Sequence, residues 1–284
     1  MKVGISVFLW TDIIRYDEHK PLLELIKSMG FDGVEIPIFN MDDKDIDKVA
    51  AECDSLGLER ATGAFFDPSR CDPISPDASL RKAAVEALGI WSEKTRRLGA
   101  DMIVGPLFQG LKRFSGGPPT SEEWKWGLDT LHEGCSLAGK NGVNVALEPL
   151  NRFEIYFANT LNDAKRFVVE LGLPNVGILA DTMHANIEEF DVTEAFCNAM
   201  PNISYVHISE SNRGIPGSGH GIPDNLISRL KESGYDGWLT IEAFHGASAP
   251  VLVPALCLWR SWDDTPNEMA RKGLEYIRGK LKKL

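Results

Sequence analysis

The sequence predicts a single (β/α)8 barrel, a TIM barrel, that uses residues 1–284 as one domain. Three observations predict it. Short runs of branched, apolar residues alternate strictly with longer runs of helical periodicity, with no linker between units. Glycines at 30, 57, 99, 142, 172 and 234 each stand shortly before a strand, where a helix would stop. No G-x-G-x-x-G follows the first strand, which argues against a doubly wound dinucleotide-binding sheet.

Lys2 leads directly into a first strand over 3–10, followed by a helix over 18–29 that closes at Gly30. Strands over 33–38 and 59–66 flank a helix over 42–56, and a helix over 76–98 precedes a strand over 101–107. Thr120 with Glu123 three residues on is a capping-box start for a helix over 121–141. The fifth strand, 143–148, ends in Glu148 and runs on through Pro149, Asn151, Arg152 and Glu154, an unusual density of polar groups at the tip of an apolar strand. Thr160 and Asp163 open a helix over 160–171 ahead of a strand over 176–181. Asp191 and Glu194 mark a helix over 190–199, followed by a strand over 203–209, a helix over 223–233 and a strand over 238–244. Thr265, Pro266 and Glu268 start the last helix, over 265–282, with proline at its first position.

Composition narrows the function. With 284 residues, 43% of them apolar, the chain can bury one large core. A net charge of −11 repels a phosphate backbone, so no nucleic acid partner is expected. The five cysteines include no C-x-x-C pair and suit a reducing compartment. The N-terminus lacks the features of a signal peptide, and the longest apolar stretch, 251–259, contains Pro254 and is too short to span a bilayer. A soluble, cytoplasmic protein without membrane contact is expected. The apolar segment 249–259 has two readings, packing on the barrel or forming a dimer surface.

In a (β/α)8 barrel the functional residues gather at the C-terminal ends of the strands. There the fifth strand places Glu148, the sixth Asp181, the seventh His207 and the eighth Glu242. Any one of them reads as a helix cap or a core residue. Four unpaired polar groups in one barrel mouth would each cost desolvation energy, and a divalent cation removes that cost for all of them. Three carboxylates and one imidazole form a hard set that suits one Mn²⁺, with Co²⁺ or Mg²⁺ as alternatives. His184 lies in the loop beyond Asp181, and Arg213 lies just past the seventh strand, where it binds an oxyanion or pairs with Glu210. The glycine-rich loop 214–221 lacks the ending of a nucleotide P-loop.

Inverting a carbon next to a carbonyl needs the carbonyl polarised and two bases on opposite faces of the substrate. Glu148 and Glu242, on separated strands, can flank a substrate in this way. The motifs "LEPLNRFE", "NT" at 159–160, "DTMHANIEE" at 181–189, "HISESNR" at 207–213, "IEAF" at 241–244 and "LWRSW" at 258–262 resemble the ketose 3-epimerase family, which includes the D-tagatose and D-psicose 3-epimerases of the xylose-isomerase-like barrels. The resemblance implies a metal-dependent C3 epimerase of free ketoses, with Glu148, Asp181, His207 and Glu242 as metal ligands and Glu148 and Glu242 as the acid/base pair. It assigns Glu154, His184 and Arg213 to the C1–C2 end of the sugar, adds Trp10, Leu107 and Phe244 as substrate-side positions, and implies a homodimer or homotetramer. The first strand departs from the pattern, because Ser6 stands where several members carry an aromatic. That end of the pocket shapes the choice of ketose. An aldose–ketose isomerase of the hydroxypyruvate isomerase type would share the metal but move a proton between C1 and C2. A DNA-repair endonuclease of the endonuclease IV type would need a histidine-rich rim, and this chain has six histidines in all.

Overall fold

The computed structural model describes residues 1–246, 248 and 252–284. Eight parallel strands pair in sequence order: β1 (Lys2–Ser6), β2 (Gly33–Pro37), β3 (Glu59–Gly63), β4 (Met102–Gly105), β5 (Asn144–Leu147), β6 (Val176–Asp181), β7 (Ile203–Ile208) and β8 (Trp238–Ile241). Pairing of β1 with β8 closes the barrel. Around it lie α1 (Tyr16–Met29), α2 (Asp43–Leu56), α3 (Ala78–Arg97), α4 (Ser121–Lys140), α5 (Leu161–Leu171), α6 (Thr182–Glu188), α7 (Val192–Ala199), α8 (Leu226–Glu232), α9 (Leu252–Ala255) and α10 (Pro266–Leu281). No helix among the described residues is long and apolar enough to cross a membrane.

The two-residue period of a strand explains how this framework positions a site. Val3, Ile5, Val34, Ile36, Val145, Leu147, Ile178, Ala180, Val206, Ile208, Leu239 and Ile241 join the large apolar cluster between barrel and helices. Ala61, Val104, Ala146, Leu179 and Tyr205, in the opposite phase, form a separate cluster inside the barrel. Two residues beyond Ala146, Leu179 and Tyr205 in that inward phase stand Glu148, Asp181 and His207. Each strand therefore carries its polar end group toward the barrel axis.

The capping boxes at Thr120, Thr160 and Thr265 form as the sequence predicts. The ends of several strands differ from the expectation. The strand predicted over 3–10 stops at Ser6, whose side chain caps a 3-10 turn, Val7–Leu9. The strand predicted over 101–107 stops at Gly105, whose φ of 138° takes the backbone out of the sheet. Branched residues continue past both points, so periodicity alone overruns the rim. α6 falls where the sequence was read as loop, because a seven-residue helix carries too few turns to show a period. In the apolar segment 249–259, residues 249–251 lie outside the described residues. Leu252 and Val253 of α9 pack against Phe8 and Phe244, so this part of the segment lies on the barrel.

Candidate active site

Four potential ligand atoms from Glu148, Asp181, His207 and Glu242 lie within 4.8 Å of one another, and all four residues are buried. His207 Nδ1 sits 3.7 Å from Glu148 Oε1, 3.8 Å from Asp181 Oδ2 and 3.7 Å from Glu242 Oε2. His207 Nδ1 and Glu148 Oε1 are buried without a hydrogen-bond partner. A buried polar atom left unpaired is costly, and two facing the same point are satisfied together by one cation. The residues present thus fit a divalent metal, and the oxygen-rich donor set is of the hard type.

Asp181 is both the end of β6 and the N-cap of α6. Its Oδ1 accepts the N–H groups of Met183 and His184 at 2.7 and 2.9 Å, which leaves Oδ2 facing the cluster. Thr182 Oγ1 donates to the Ser209 carbonyl at 2.6 Å and accepts from the Ser209 N–H at 2.8 Å, tying the ends of β6 and β7 together.

The polar run after β5 builds a second, adjoining group. Asn151 folds the chain back on itself: its carbonyl accepts from Glu154 N–H at 2.9 Å, and its side-chain amide donates to Glu154 Oε1 at 2.9 Å. Arg152 points away from the cluster and grips Glu188 of α6, with Nη2 2.7 Å from Oε2. The backbone N–H of Asn151 donates to His184 Nδ1 at 3.1 Å, while Arg213 Nη2 lies 2.8 Å from His184 Nε2. A neutral imidazole has one N–H and a guanidinium only donates. With Nδ1 accepting from the fixed backbone, Nε2 carries the imidazole hydrogen and meets the Arg213 guanidinium donor against donor. An oxygen atom accepting from both donors would relieve the conflict.

Arg213 also reaches Asp181 Oδ2 at 3.4 Å and Ser209 Oγ at 3.0 Å, and forms a close ion pair with Glu242. It does not pair with Glu210. The Glu210 carboxylate instead accepts the N–H groups of Ser211, Gly217 and Gly221 at 2.8, 3.0 and 2.7 Å. A Cβ at Gly219 would come within 2.6 Å of Glu210 Oε1, so the glycines of this loop make room for the carboxylate. Arg213 itself has φ 61°, a left-handed conformation in a non-glycine residue, held by backbone bonds to Glu210 and Phe244.

Burial and crowding move the acid–base balance of the cluster. Burial pushes the Glu148 carboxyl up to about 8, opposed by His207 and reinforced by Glu242 and Asp181. Burial likewise raises Asp181 to about 6 against the pull of Arg213. His184 is held well below its ordinary value by burial and by the Arg213 charge, so it is neutral. Burial disfavours the charged form of His207, but Glu35, Glu242 and Glu148 outweigh it and raise this imidazole well above its ordinary value.

The cavity beside the cluster is lined by Glu148, Glu154, His184, His207, Arg213, Glu242 and Phe244 among others. Asp181 completes the cluster beneath it. Two expected positions do not line the cavity. Trp10 donates from Nε1 to Asn267 Oδ1 at 2.8 Å, and Leu107 is fully buried in the outer apolar cluster, because it points away from the mouth that Gly105 and Pro106 line. The sequence reading also missed Phe8, Glu35, Phe65, Leu111, Leu252 and Leu256, which do line it. For Glu35 a signal existed: it is a lone carboxylate in Gly33-Val34-Glu35-Ile36-Pro37, an otherwise apolar strand. The apolar liners sit in loops and short helical turns after the strands, too short for a period to mark which residue faces inward.

Comparison with known proteins agrees with this geometry. Residues 23–280 match the family model described as xylose isomerase-like TIM barrel, which defines the class of barrel. The chain is 32% identical over 283 residues to a ketose 3-epimerase of Arthrobacter globiformis, covering 99% of this chain and 97% of that protein. A solved structure of L-ribulose 3-epimerase superposes with a TM-score of 0.93 at 30% identity, covering 99% of this chain and 95% of that one. D-psicose 3-epimerase from Clostridium cellulolyticum H10, solved with D-tagatose, superposes with a TM-score of 0.90 at 27% identity, covering 99% of each chain. The chain belongs to the ketose 3-epimerase family, a group of sugar isomerases.

Proposed function

We propose that the protein is a metal-dependent epimerase that inverts C3 of a free ketohexose or ketopentose through a cis-enediolate. The observation that carries this reading is that two buried carboxylates, Glu148 just after β5 and Glu242 just after β8, line one cavity, each 3.7 Å from His207 Nδ1. Glu148, Asp181, His207 and Glu242 would hold one divalent ion, Mn²⁺ above Co²⁺ or Mg²⁺, as a Lewis acid that polarises the ketose carbonyl.

One carboxylate removes the C3 proton from one face, and the other returns a proton to the opposite face. In the metal-free protein burial raises the Glu148 carboxyl to about 8, and a bound cation would favour its carboxylate form, the form that accepts a proton. The donor pair formed by His184 Nε2–H and Arg213, both lining the cavity, would stabilise negative charge developing on a substrate oxygen. Because His184 is neutral, it donates a hydrogen bond without giving up a proton. Glu154, held by Asn151, accepts from a sugar hydroxyl at the same C1–C2 end. The loop after β7, where barrels of this class often cradle a phosphate, has its amides taken by Glu210, which favours a free sugar over a sugar phosphate.

The experiment is turnover of a ketose panel with Mn²⁺ in D₂O, with deuterium located by NMR. Solvent deuterium at C3 of an epimeric ketose is expected. Deuterium at C1 or C2 with an aldose product would replace this reading by an aldose–ketose isomerase.

A further inference from the structure

We infer that Glu35 is a positioning residue for the metal centre, fixing His207 in the tautomer whose Nδ1 lone pair faces Glu148, Asp181 and Glu242. The inference rests on the reading of that cluster as a divalent-metal site. His207 Nε2 lies 2.8 Å from Glu35 Oε2, and both side chains are 2% exposed. A carboxylate only accepts, so the hydrogen of a neutral imidazole sits on Nε2 and Nδ1 keeps its lone pair. That Nδ1 is the atom without a hydrogen-bond partner, surrounded by the three carboxylates.

The surroundings of Glu35 are shaped to hold it in place. Every residue of β2 is buried, so the Glu35 carboxylate is largely removed from solvent and must be paired. A Cβ at position 63 would lie 3.2 Å from Glu35 Oε1, so glycine there leaves space for it. The Tyr205 ring meets the His207 ring edge-on at 5.7 Å, and the Tyr205 hydroxyl accepts from Thr240 Oγ1 at 2.7 Å. These inward-facing groups form a column beneath the cluster that limits how the imidazole can turn. Ligating histidines commonly depend on such a partner for orientation and basicity.

Glutamine at 35 would be neutral and could turn its NH₂ toward Nε2. The imidazole hydrogen would then move to Nδ1, where the cation needs a lone pair. Aspartate at 35 would keep the charge but fall short of Nε2. Mn²⁺ binding to wild type, Glu35→Gln and Glu35→Asp is measured by EPR titration of free Mn²⁺, with thermal unfolding of each metal-free protein as the folding check. Glu35→Gln is expected to bind Mn²⁺ roughly 10- to 100-fold more weakly, with Glu35→Asp between it and wild type. Wild-type affinity in Glu35→Gln would overturn the inference. So would full affinity in Glu35→Asp, because charge without contact would then suffice. Should Glu35→Gln fail to fold, Glu35→Asp decides by the same criterion. A wild-type protein that binds no Mn²⁺ would instead bring down the metal reading beneath it, a distinct result.

Discussion

The two halves of the barrel rim are built from different chemistry. β5 to β8 bring Glu148, Asp181, His207 and Glu242 to the rim, with Glu154, His184 and Arg213 in the segments that follow. β1 to β4 lead into Phe8, Phe39, Ala64 with Phe65, and Pro106. Phe244, Phe8, Phe39 and Phe65 form a chain with ring centroids 6.4, 6.5 and 4.3 Å apart. Glu35, the charged lining residue from the first half, is turned toward His207. Buried polar groups need one another's partners, so the reactive half is tightly interlocked and a change at one residue disturbs several. The aromatic half is held by contacts that tolerate changes of shape. In the proposed reaction it is the part of the wall that would set sugar preference apart from proton transfer.

The sharpest test of that division is removal of a base. Glu148→Gln and Glu242→Gln each keep an oxygen in place but cannot accept a proton. Each is expected to lower kcat by roughly 10²–10⁴-fold, measured at saturating Mn²⁺ and sugar. A Gln variant of either with near-normal turnover would show that the reactive half is not where the proton moves.

A second effect is expected in stability, and it arises from the buried titrating cluster. Folded-state values are raised for Glu148, Asp181 and His207, so the metal-free folded protein holds protons that the unfolded chain releases. Their contribution to stability is present at low pH and is lost as pH rises, for Asp181 and Glu148 through about 6 and about 8. The metal-free protein should therefore melt lower at about pH 8.5 than at about pH 6, by roughly 5–10 °C. Saturating Mn²⁺ should abolish or reverse the trend, since the cation replaces the bound protons and binds more tightly as they leave. Parallel melting curves with and without metal would contradict the assignment of the cluster.

The same division explains what could be read in the sequence. The alternation of strands and helices is repeated along the chain, so small errors at each end did not obscure the barrel. Glu148, Asp181, His207 and Glu242 were legible because each interrupts an apolar strand at its last inward position. Glu35 carried a related signal, a lone carboxylate in the middle of the apolar strand β2, but lacked a neighbouring motif. Phe8, Phe65 and Leu111 were not legible, because an aromatic or leucine after a strand looks the same whether it faces the cavity or the core. Trp10 and Leu107 show the converse error: apolar residues near a rim were placed in the pocket although the turn at 7–9 and the bend at Gly105 direct them elsewhere. Inward direction is fixed by backbone turns that leave little trace in residue type.

The smallest expected effect belongs to the aromatic half. Phe65 lines the cavity, is half-buried, and contacts Phe39 at 4.3 Å, whereas Phe8 is held among Phe244, Leu252 and Val253. Phe65→Ala therefore removes wall rather than framework. The lost contact is worth about 1 kcal/mol, roughly fivefold in kcat/KM. It should appear as a higher KM with kcat nearly unchanged, because a wall touches ground state and transition state alike. Its size should depend on the sugar: ketohexoses, with a longer far end, should be affected differently from ketopentoses, so the order of preference in the panel should shift. Steady-state kinetics on one ketohexose and one ketopentose would measure this. Equal loss of kcat on both sugars would place Phe65 with the reacting groups and erase the distinction between the two halves.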